Sequence, residues 1–372
     1  MELSSEDSLR LNVLIANAEA VRIDENALVV YGLNGEREMK VQLNPNCRSD
    51  KYLMAVREML SSAVLDSPGG YPVFLRRWTR MGQIDSDQLD RLLKLGEPEA
   101  VMAVVCSPGL TDELARLAWW SAPYAEHARR MLENKRVVAG KMGKVLAEYL
   151  IDHLPFETEH GDMLNTVRLV LQPGLITEEQ RKRLWESGRS RATYRVGFLA
   201  IEPDNLLEPV GPRWDLAEHS VVLQALIADG NRYARLLHKL LDSAGQTFAA
   251  VVVEAMRRPA DQEVVSALLN AVGHYLHPVR SSQQHWRDME SIFAHVDRVL
   301  NSPDAELKAL LDAVPSLQAD IRAMLVLAHL DESPLIPIFA VSDAIGSVMR
   351  KKIEPVTTPM LEQFAQLRGS RR

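Results

Sequence analysis

Two groups of histidine and acidic residues have types and spacing that could bind a metal ion. His153, Glu157 and His160 lie close together, and Glu157 and His160 have the Glu-x-x-His spacing of di-iron four-helix proteins. His274 and His277 stand one helical turn apart. A di-iron site needs a second Glu-x-x-His copy and two more glutamates, and the sequence has no second copy. We therefore expect solvated or packed side chains at both places, and no metal or other cofactor.

Cys47 is the candidate for thiol chemistry. It lies in a polar stretch that enters a predicted helix capped by Ser49, and Arg48, Lys51 and the helix N-terminus would favour its thiolate form. A redox or sulfur-carrying thiol is one interpretation, although electropositive surroundings alone do not make a cysteine reactive. The other cysteine, Cys106, closes an apolar run and is expected to be buried and unreactive.

Basic and aromatic residues are interleaved between positions 74 and 81. On a helix, Arg76, Arg77 and Arg80 share one broad face, which could contact an acidic partner protein or a nucleic-acid backbone. The alternative is an amphipathic helix with a solvated basic face. Two further basic stretches would form a strip for RNA if all three aligned. They are Arg129, Arg130, Lys135, Arg136, Lys141 and Lys144, and then Lys182, Arg183, Arg189, Arg191 and Arg195.

A short pattern of Pro-Gly, threonine, acidic residues and tryptophan occurs twice. Thr111 and Thr177 are predicted helix N-caps, with Trp119 and Trp185 eight residues further on. Gln180 would complete a capping box in the second copy. A repeated helical unit indicates a stacked α-solenoid, although one helix-start pattern used twice is the simpler explanation.

Trp120 is a second candidate for partner contact. Adjacent side chains on a helix diverge by about 100°, so Trp119 and Trp120 cannot both face inward. The repeat makes Trp119 the packed residue and leaves Trp120 as an exposed anchor for a partner protein. Burial of Trp120 under a neighbouring loop is the alternative.

The elements that must position these residues are mainly helices. From Ser49 onward, apolar residues recur at three- and four-residue spacing, and proline or glycine interrupts them every ten to twenty residues. Before that, three short β-branched runs at 12–15, 27–31 and 39–43 predict strands, with an Asn-Gly hairpin signal within 32–35. The predicted fold is mainly α, an α-solenoid-like stack of helical hairpins with a small N-terminal antiparallel β meander.

The predicted organisation has four parts. Residues 1–46 form the β element packed on the first helices, and 47–201 form the first helical half. Residues 202–213, rich in proline and glycine, connect it to the second helical half at 214–372. This connection is either a flexible linker or a tight link between packed halves.

Composition excludes some classes of function. The chain has 372 residues and a formal net charge of −7, which argues against a general nucleic-acid binder. The start of the chain is acidic and polar and does not resemble a signal peptide, and no apolar run is long enough to span a membrane. Two cysteines in a chain of this length favour free thiols and a cytoplasmic location.

Three segments, 71–83, 95–101 and 109–116, resemble DsrS-type proteins. The first reads Tyr-Pro-Val-Phe-Leu-Arg-Arg-Trp-Thr-Arg-Met-Gly-Gln. These are soluble cytoplasmic proteins encoded with the reverse dissimilatory sulfite reductase cluster of sulfur-oxidising bacteria. The resemblance extends over most of the chain and implies a role around sulfur oxidation. It carries no active-site residue over to this sequence.

The sequence thus favours a non-enzymatic accessory scaffold for sulfur oxidation. Its expected partners are proteins, including sulfite-reductase or sulfur-transfer components, bound through Arg76, Arg77, Arg80 and Trp120. Two alternatives stay open. One is a thiol-dependent sulfur-transfer or redox protein that uses Cys47, and the other is an RNA-binding regulator that uses the basic strip.

Overall fold

A computed structural model of the chain describes residues 3–65, 86–341 and 344–369. This part of the chain is mainly helical, with a three-stranded antiparallel sheet near its N-terminal end. It forms two compact units, one within Met1–His153 and Gly174–Ile176, the other within Leu154–Pro173 and Thr177–Arg372. The predicted class, mainly α with a small N-terminal β meander, is confirmed at this level.

The first unit begins with a helix, continues with the sheet and ends with a run of helices. Its elements are α1 (Ser5–Asn17), β1 (Ala20–Asp24), β2 (Val29–Asn34), β3 (Arg37–Gln42), α2 (Ser49–Leu65), α3 (Ser86–Leu92), α4 (Pro98–Val105), α5 (Asp112–Ser121), α6 (Ala125–Leu132), α7 (Lys135–Val138) and α8 (Lys141–His153). Helix α5 packs on α4 and on β1, and α6 packs on α8.

The second unit is helical throughout its described part. Its α-helices are α9 (His160–Val170), α10 (Glu178–Ser187), α11 (Ala192–Ile201), α12 (Leu216–Ala228), α13 (Arg232–Leu241), α14 (Ser243–Arg257), α15 (Gln262–Tyr275), α16 (Met289–Asn301), α17 (Ala305–Ala313), α18 (Gln318–Ala328), α19 (Ile336–Phe339) and α20 (Gly346–Leu367). Short 3₁₀ turns at Leu154–Phe156, His277–Val279, Pro315–Leu317 and Ser333–Leu335 join some of them. Helix α11 packs on α9, α14 and α15, and α18 packs on α16 and α20. None of the helices described in either unit is both long and apolar enough to cross a membrane.

The predicted strand at residues 12–15 is wrong, because these residues belong to α1. The Ser4 hydroxyl caps this helix by accepting a hydrogen bond from the backbone N–H of Asp7 (3.1 Å). Apolar residues then recur at helical spacing on its buried face. They are Leu11, Leu14 and Ile15. The first strand begins only at Ala20.

The predicted Asn-Gly hairpin is confirmed between β2 and β3. Asn34 pairs with Arg37, and Gly35 opens the two-residue turn with a φ of +59°, a conformation that favours glycine. Gly32, which was expected in the turn, is a β2 residue. A Cβ atom there would stand 2.9 Å from the side chain of Leu14, so glycine lets α1 lie close on the sheet.

Both predicted threonine caps are confirmed. Thr111 Oγ1 accepts from the N–H of Leu114 (3.2 Å) at the start of α5. Thr177 Oγ1 accepts from the N–H of Gln180 (3.2 Å), and the Gln180 side chain accepts from the Thr177 N–H (2.9 Å), which completes the capping box of α10. Each cap is followed by a ten-residue helix.

The tryptophans of the two copies have different surroundings. Trp185 is fully buried, with its ring edge-on to Phe198 at a centroid distance of 5.2 Å. Trp119 is half-buried and lies edge-on to Tyr149 at 4.7 Å. The copies therefore share the helix start and length, while each tryptophan packs on different partners.

Residues 202–213, the predicted connection, lie within the second unit. Glu202 accepts a hydrogen bond from Arg181 (2.8 Å), and Asp204 accepts one from the Tyr275 hydroxyl (2.9 Å). These contacts hold the segment against α10 and α15.

Arg213 joins the end of this segment to two distant helices. Its guanidinium donates to both carboxylate oxygens of Asp215 (2.6 and 2.8 Å), to Asp320 (2.6 Å) and to the backbone carbonyl of Leu367 (3.3 Å). Its backbone N–H donates to the carbonyl of Leu241 (2.8 Å). The Arg213 side chain is 4% exposed, so this network fixes the turn that precedes α12.

Candidate functional site

Trp120, a predicted partner contact, is half-buried against the sheet. Its Nε1–H donates to Glu38 (3.2 Å), and the guanidinium of Arg22 lies 4.9 Å from its ring centroid. The indole is therefore held by the chain itself, with part of its surface left to solvent. The other predicted contacts, Arg76, Arg77 and Arg80, lie outside the described residues.

Part of the predicted basic strip is engaged in internal contacts. Arg195 is buried and donates to Glu254 (2.8 Å). Arg191 donates to the backbone carbonyls of Leu154 (3.4 Å) and Pro155 (3.1 Å). These guanidinium groups serve the packing of the second unit and do not form a surface track for phosphates.

The two cysteines have different exposures. Cys47 is half-buried, its sulfur lies 3.6 Å from the carbonyl oxygen of Arg48, and the Arg48 guanidinium donates to Asp50 (2.9 Å). The prediction that Cys106 is buried is wrong, because α4 ends at Val105 and the cysteine lies exposed in the turn that follows. Partial desolvation of its sulfur still raises the pKa of the Cys106 thiol, which favours the unreactive protonated form.

The candidate metal ligands make ordinary protein contacts. His160 Nδ1 lies 3.0 Å from a threonine hydroxyl of α11, and the His153 ring stacks on a tyrosine ring of α8. Glu157 is half-buried, and His274 and His277 are exposed. Within residues 3–65, 86–341 and 344–369, no three His, Cys, Asp or Glu side chains converge in a way that could hold a metal ion.

Helix α12 leaves an apolar face at the surface. It packs on α13 and α17, and Leu223 is the residue that its thirteen-residue span buries fully. On the opposite side, Val221 is 79% exposed, and Trp214, in the turn just before the helix, is 70% exposed. Large apolar side chains this exposed stand out on the surface of a helix, where charged and polar residues are usual.

The exposed face is continuous along α12. Four exposed residues of α12 follow one another at spacings of three and four and so share one side of the helix, and exposed Trp214 precedes them in the turn before it. Together they are Trp214, Ala217, Val221, Ala225 and Ala228, called here the α12 stripe. Exposed Glu218 and Gln224 flank it, which gives an apolar centre with a polar edge.

A second chemically distinctive place is a serine between two histidines, also in the second unit. Ser281 follows the 3₁₀ turn at His277–Val279, His295 lies on α16, and His329 directly follows α18. Ser281 Oγ is 3.1 Å from His329 Nε2 and 3.0 Å from His295 Nε2. Ser281 is exposed, whereas His329 is only 1% exposed.

The neighbours of His329 determine which of its nitrogens carries the proton. Its Nδ1 lies 2.8 Å from the Leu325 carbonyl, which can only accept a hydrogen bond. Nδ1 is therefore protonated, and in the neutral ring Nε2 is the acceptor for the Ser281 hydroxyl and backbone N–H (3.3 Å). Burial is the main cause that lowers the pKa of His329 to about 4, with smaller contributions from His295 and Arg280.

When the Ser281 hydroxyl donates its single proton to His329, its oxygen is left to accept from His295. This requires His295 to carry a proton on Nε2. Burial lowers the pKa of His295 as well. The ring of Trp286 lies 5.1 Å from the His295 ring, and the His295 and His329 rings meet edge-on at 4.8 Å.

A buried ion pair holds the loop that carries Ser281. Arg280 donates to the carbonyls of Ser282 (2.9 Å) and Gln284 (3.1 Å) and to Asp331 (3.1 Å), and His285 Nδ1 lies 2.6 Å from the same Asp331 oxygen. Burial acts to raise the pKa of Asp331, but hydrogen bonds from Ser333, His285 and Arg280 outweigh it and hold the pKa below its usual range. The carboxylate therefore stays charged and pairs with Arg280.

No sequence pattern connects Ser281 with His295 and His329. The serine lies 14 residues before His295 and 48 before His329, so no local spacing marks the group. One signal was present. His329 follows an apolar run, Met324–Ala328, and a histidine at the end of a buried helix needs polar partners from elsewhere in the chain.

Comparisons with family models, curated proteins and solved structures find no match for this chain.

Proposed function

We propose that the protein is an accessory scaffold that binds a partner protein through the α12 stripe. The main support is the exposure of Trp214 and Val221 on a continuous apolar helix face. Exposed apolar patches on soluble proteins commonly mark interaction sites, and tryptophan is the residue that most often dominates binding energy at such sites.

The composition of the stripe favours an amphipathic helix as the binding element of the partner. The three alanines are small and would let a partner helix approach closely, while Trp214 and Val221 would fill gaps between its side chains. Glu218 and Gln224 would lie at the polar edge of the contact. Arg213 supports this site because its buried network fixes the turn that carries Trp214.

The process we propose is bacterial sulfur oxidation. Support comes from the resemblance of residues 71–83, 95–101 and 109–116 to DsrS-type proteins. The proposed partners are sulfite-reductase or sulfur-transfer proteins. We propose a cytoplasmic location, which agrees with the two unpaired cysteines. We also propose that the helical pairs follow a solenoid-like repeat, which the equivalent starts of α5 and α10 support.

The test is a pull-down of tagged full-length protein from source cells grown with and without reduced sulfur. The variant Trp214→Ala/Val221→Glu removes the anchor and places a charge on the stripe. We expect it to lose sulfite-reductase or sulfur-transfer proteins that the wild type enriches. With the purified partner, its affinity should fall at least about thirtyfold, which corresponds to a single hot spot of about 2 kcal/mol.

The matched control is Val13→Glu, which places the same charge on an exposed valine of α1. This variant should bind as the wild type does, and circular dichroism should show that all three proteins are folded. If the double variant keeps the same partners, α12 is not the binding surface. If no sulfur-metabolism protein is enriched by the wild type under either condition, the proposed process is wrong.

A further inference from the structure

We propose that Ser281 is a nucleophile that forms a covalent acyl intermediate with activated esters or thioesters, with His329 as its general base. This inference concerns the loop after His277–Val279 and the ends of α16 and α18, and it does not depend on the α12 stripe. It rests on the geometry of one exposed hydroxyl and two imidazoles.

The distances satisfy the requirements for a serine activated by a base. The Ser281 hydroxyl lies 3.1 Å from His329 Nε2, within the range of a nucleophile and its base. The base is oriented by a third group, since its Nδ1–H is fixed by the Leu325 carbonyl at 2.8 Å. A backbone carbonyl here takes the orienting part that a carboxylate takes in many serine hydrolases.

His295 supplies a donor on the other side of the hydroxyl. In the tautomer that carries the proton on Nε2, this nitrogen faces the Ser281 oxygen at 3.0 Å as a donor, close to where negative charge develops during attack on a carbonyl group. The loop is also rigid at this point, because Arg280 binds two of its carbonyls and the carboxylate of Asp331. A fixed loop keeps the nucleophile in place before the substrate arrives.

The chemical steps follow from these positions. Ser281 Oγ attacks the carbonyl carbon while its proton passes to His329 Nε2, and the carbonyl oxygen becomes an oxyanion beside His295 Nε2–H. The bond to the leaving alcohol or thiol then breaks, and the leaving group takes the proton from His329. This leaves an acyl ester on Ser281, which water hydrolyses by the same route to release the carboxylic acid and restore the serine.

The exposure of Ser281 and the weak basicity of His329 indicate which class of substrate could react. Ser281 is exposed, so the acyl group can approach from solvent. Burial keeps the His329 ring neutral at neutral pH, ready to accept a proton, but makes it a weak base. A weak base suits substrates whose leaving group departs easily, such as aryl esters and thioesters, and not amides.

The direct test is labelling of the full-length protein with a fluorophosphonate probe at pH 7.5, followed by peptide mass spectrometry. We expect one adduct, on Ser281, and a burst of nitrophenol from p-nitrophenyl acetate close to one equivalent per chain. Ser281→Ala should abolish both, whereas Ser302→Ala, which removes an exposed hydroxyl just after α16, should behave as the wild type. An adduct elsewhere, or no adduct, overturns the proposal.

The contribution of His329 is tested separately. His329→Gln should lower the labelling rate by at least about a hundredfold, the usual minimum for loss of a general base. His295→Gln should have a smaller effect, since it removes a donor and not the base. If His329→Gln is folded and labels as fast as the wild type, the role of His329 is wrong. If the His329→Gln variant does not fold, the labelling rate of the wild type is measured between pH 3.5 and 7.5. A base with this pKa requires the labelling rate to fall as pH drops through about 4, and a constant rate contradicts the role of His329.

Discussion

The imidazole of His329 lies where a positive charge is poorly tolerated. Burial, His295 and Arg280 all lower its pKa, to about 4 in the folded chain against an ordinary value near 6.5. Between these two values the unfolded chain binds a proton that the folded chain does not. The stability that His329 contributes is therefore complete above about pH 6.5 and is lost as pH falls toward 4.

We predict that acidification from pH 7 to pH 5 lowers the free energy of unfolding by about 2 kcal/mol through this residue alone. His329→Gln, which cannot titrate, should remove that part of the pH dependence. Urea unfolding at a series of pH values measures it. His277→Gln is the control, because His277 is exposed. An unchanged pH profile in His329→Gln contradicts the prediction.

Glu97 has the opposite effect on how stability depends on pH. Its carboxylate is buried just before α4, and burial outweighs the attraction of the Arg57 guanidinium, 2.5 Å away, and raises the pKa of Glu97 to about 7. Its stabilising effect is complete below about pH 4.5 and is lost as pH rises through 7. Glu97 and His329 therefore act against each other between pH 4.5 and 6.5.

We predict that Glu97→Gln loses a pH dependence of about 2 kcal/mol between pH 4.5 and 7, and that its stability relative to the wild type rises across this range. Thermal melts of the full-length protein at several pH values measure this difference. Glu36→Gln, in the exposed turn between β2 and β3, should leave the profile as it is. If the stability of Glu97→Gln relative to the wild type falls as pH rises, the prediction is wrong.

At the scale of single elements, helix starts are the features that the sequence predicts best. Thr111 and Thr177 cap helices because their hydroxyls reach N–H groups only three residues away, so the signal is local. Residues 12–15 were harder to interpret, since a four-residue apolar run fits a strand or a turn of helix. The Ser4 cap and the burial of one apolar face explain why these residues form a helix.

We predict that Thr177→Ala destabilises the second unit by about 1 to 2 kcal/mol and Thr111→Ala the first unit by about 1 kcal/mol. The larger effect at Thr177 follows from its capping box, in which two hydrogen bonds are coupled. Chemical denaturation of both variants measures the difference. Threonine-to-serine changes at the same positions keep the hydroxyl and should cost much less. Equal stability of Thr177→Ala and Thr177→Ser would show that the cap contributes nothing.

Local sequence patterns do not predict the α12 stripe or the group formed by Ser281, His295 and His329. The α12 stripe was present in the sequence as an apolar run, but an apolar helix reads as a core helix until its neighbours are known, and α12 packs on one side only. Ser281, His295 and His329 meet through packing of three separate segments. Contacts of this kind depend on tertiary structure, which spacing along the chain does not encode.

At the scale of the whole molecule, some charged side chains lie in buried ion pairs and not on the surface. Arg213, Asp215 and Asp320 are nearly excluded from solvent, and the Arg213 guanidinium pairs with both carboxylates. Removing one member of such a network leaves a buried charge without compensation, which costs far more than the loss of an exposed pair.

We predict that Arg213→Ala destabilises the second unit by about 3 to 5 kcal/mol. The control is Arg189→Ala, which removes an exposed arginine paired with Glu208 and should cost no more than about 1 kcal/mol. Differential scanning calorimetry of both variants compares them. If the two variants lose similar stability, the buried network is not a principal support of the second unit.

The Arg213 network also has a consequence for biosynthesis. Its guanidinium is satisfied by a carboxylate 107 residues later and a carbonyl 154 residues later. At roughly 5 to 20 residues per second, a ribosome needs about 8 to 30 seconds to reach Leu367 after it has made Arg213. During that interval the arginine cannot be buried with its partners, so the second unit completes its folding only after nearly all of it has been translated.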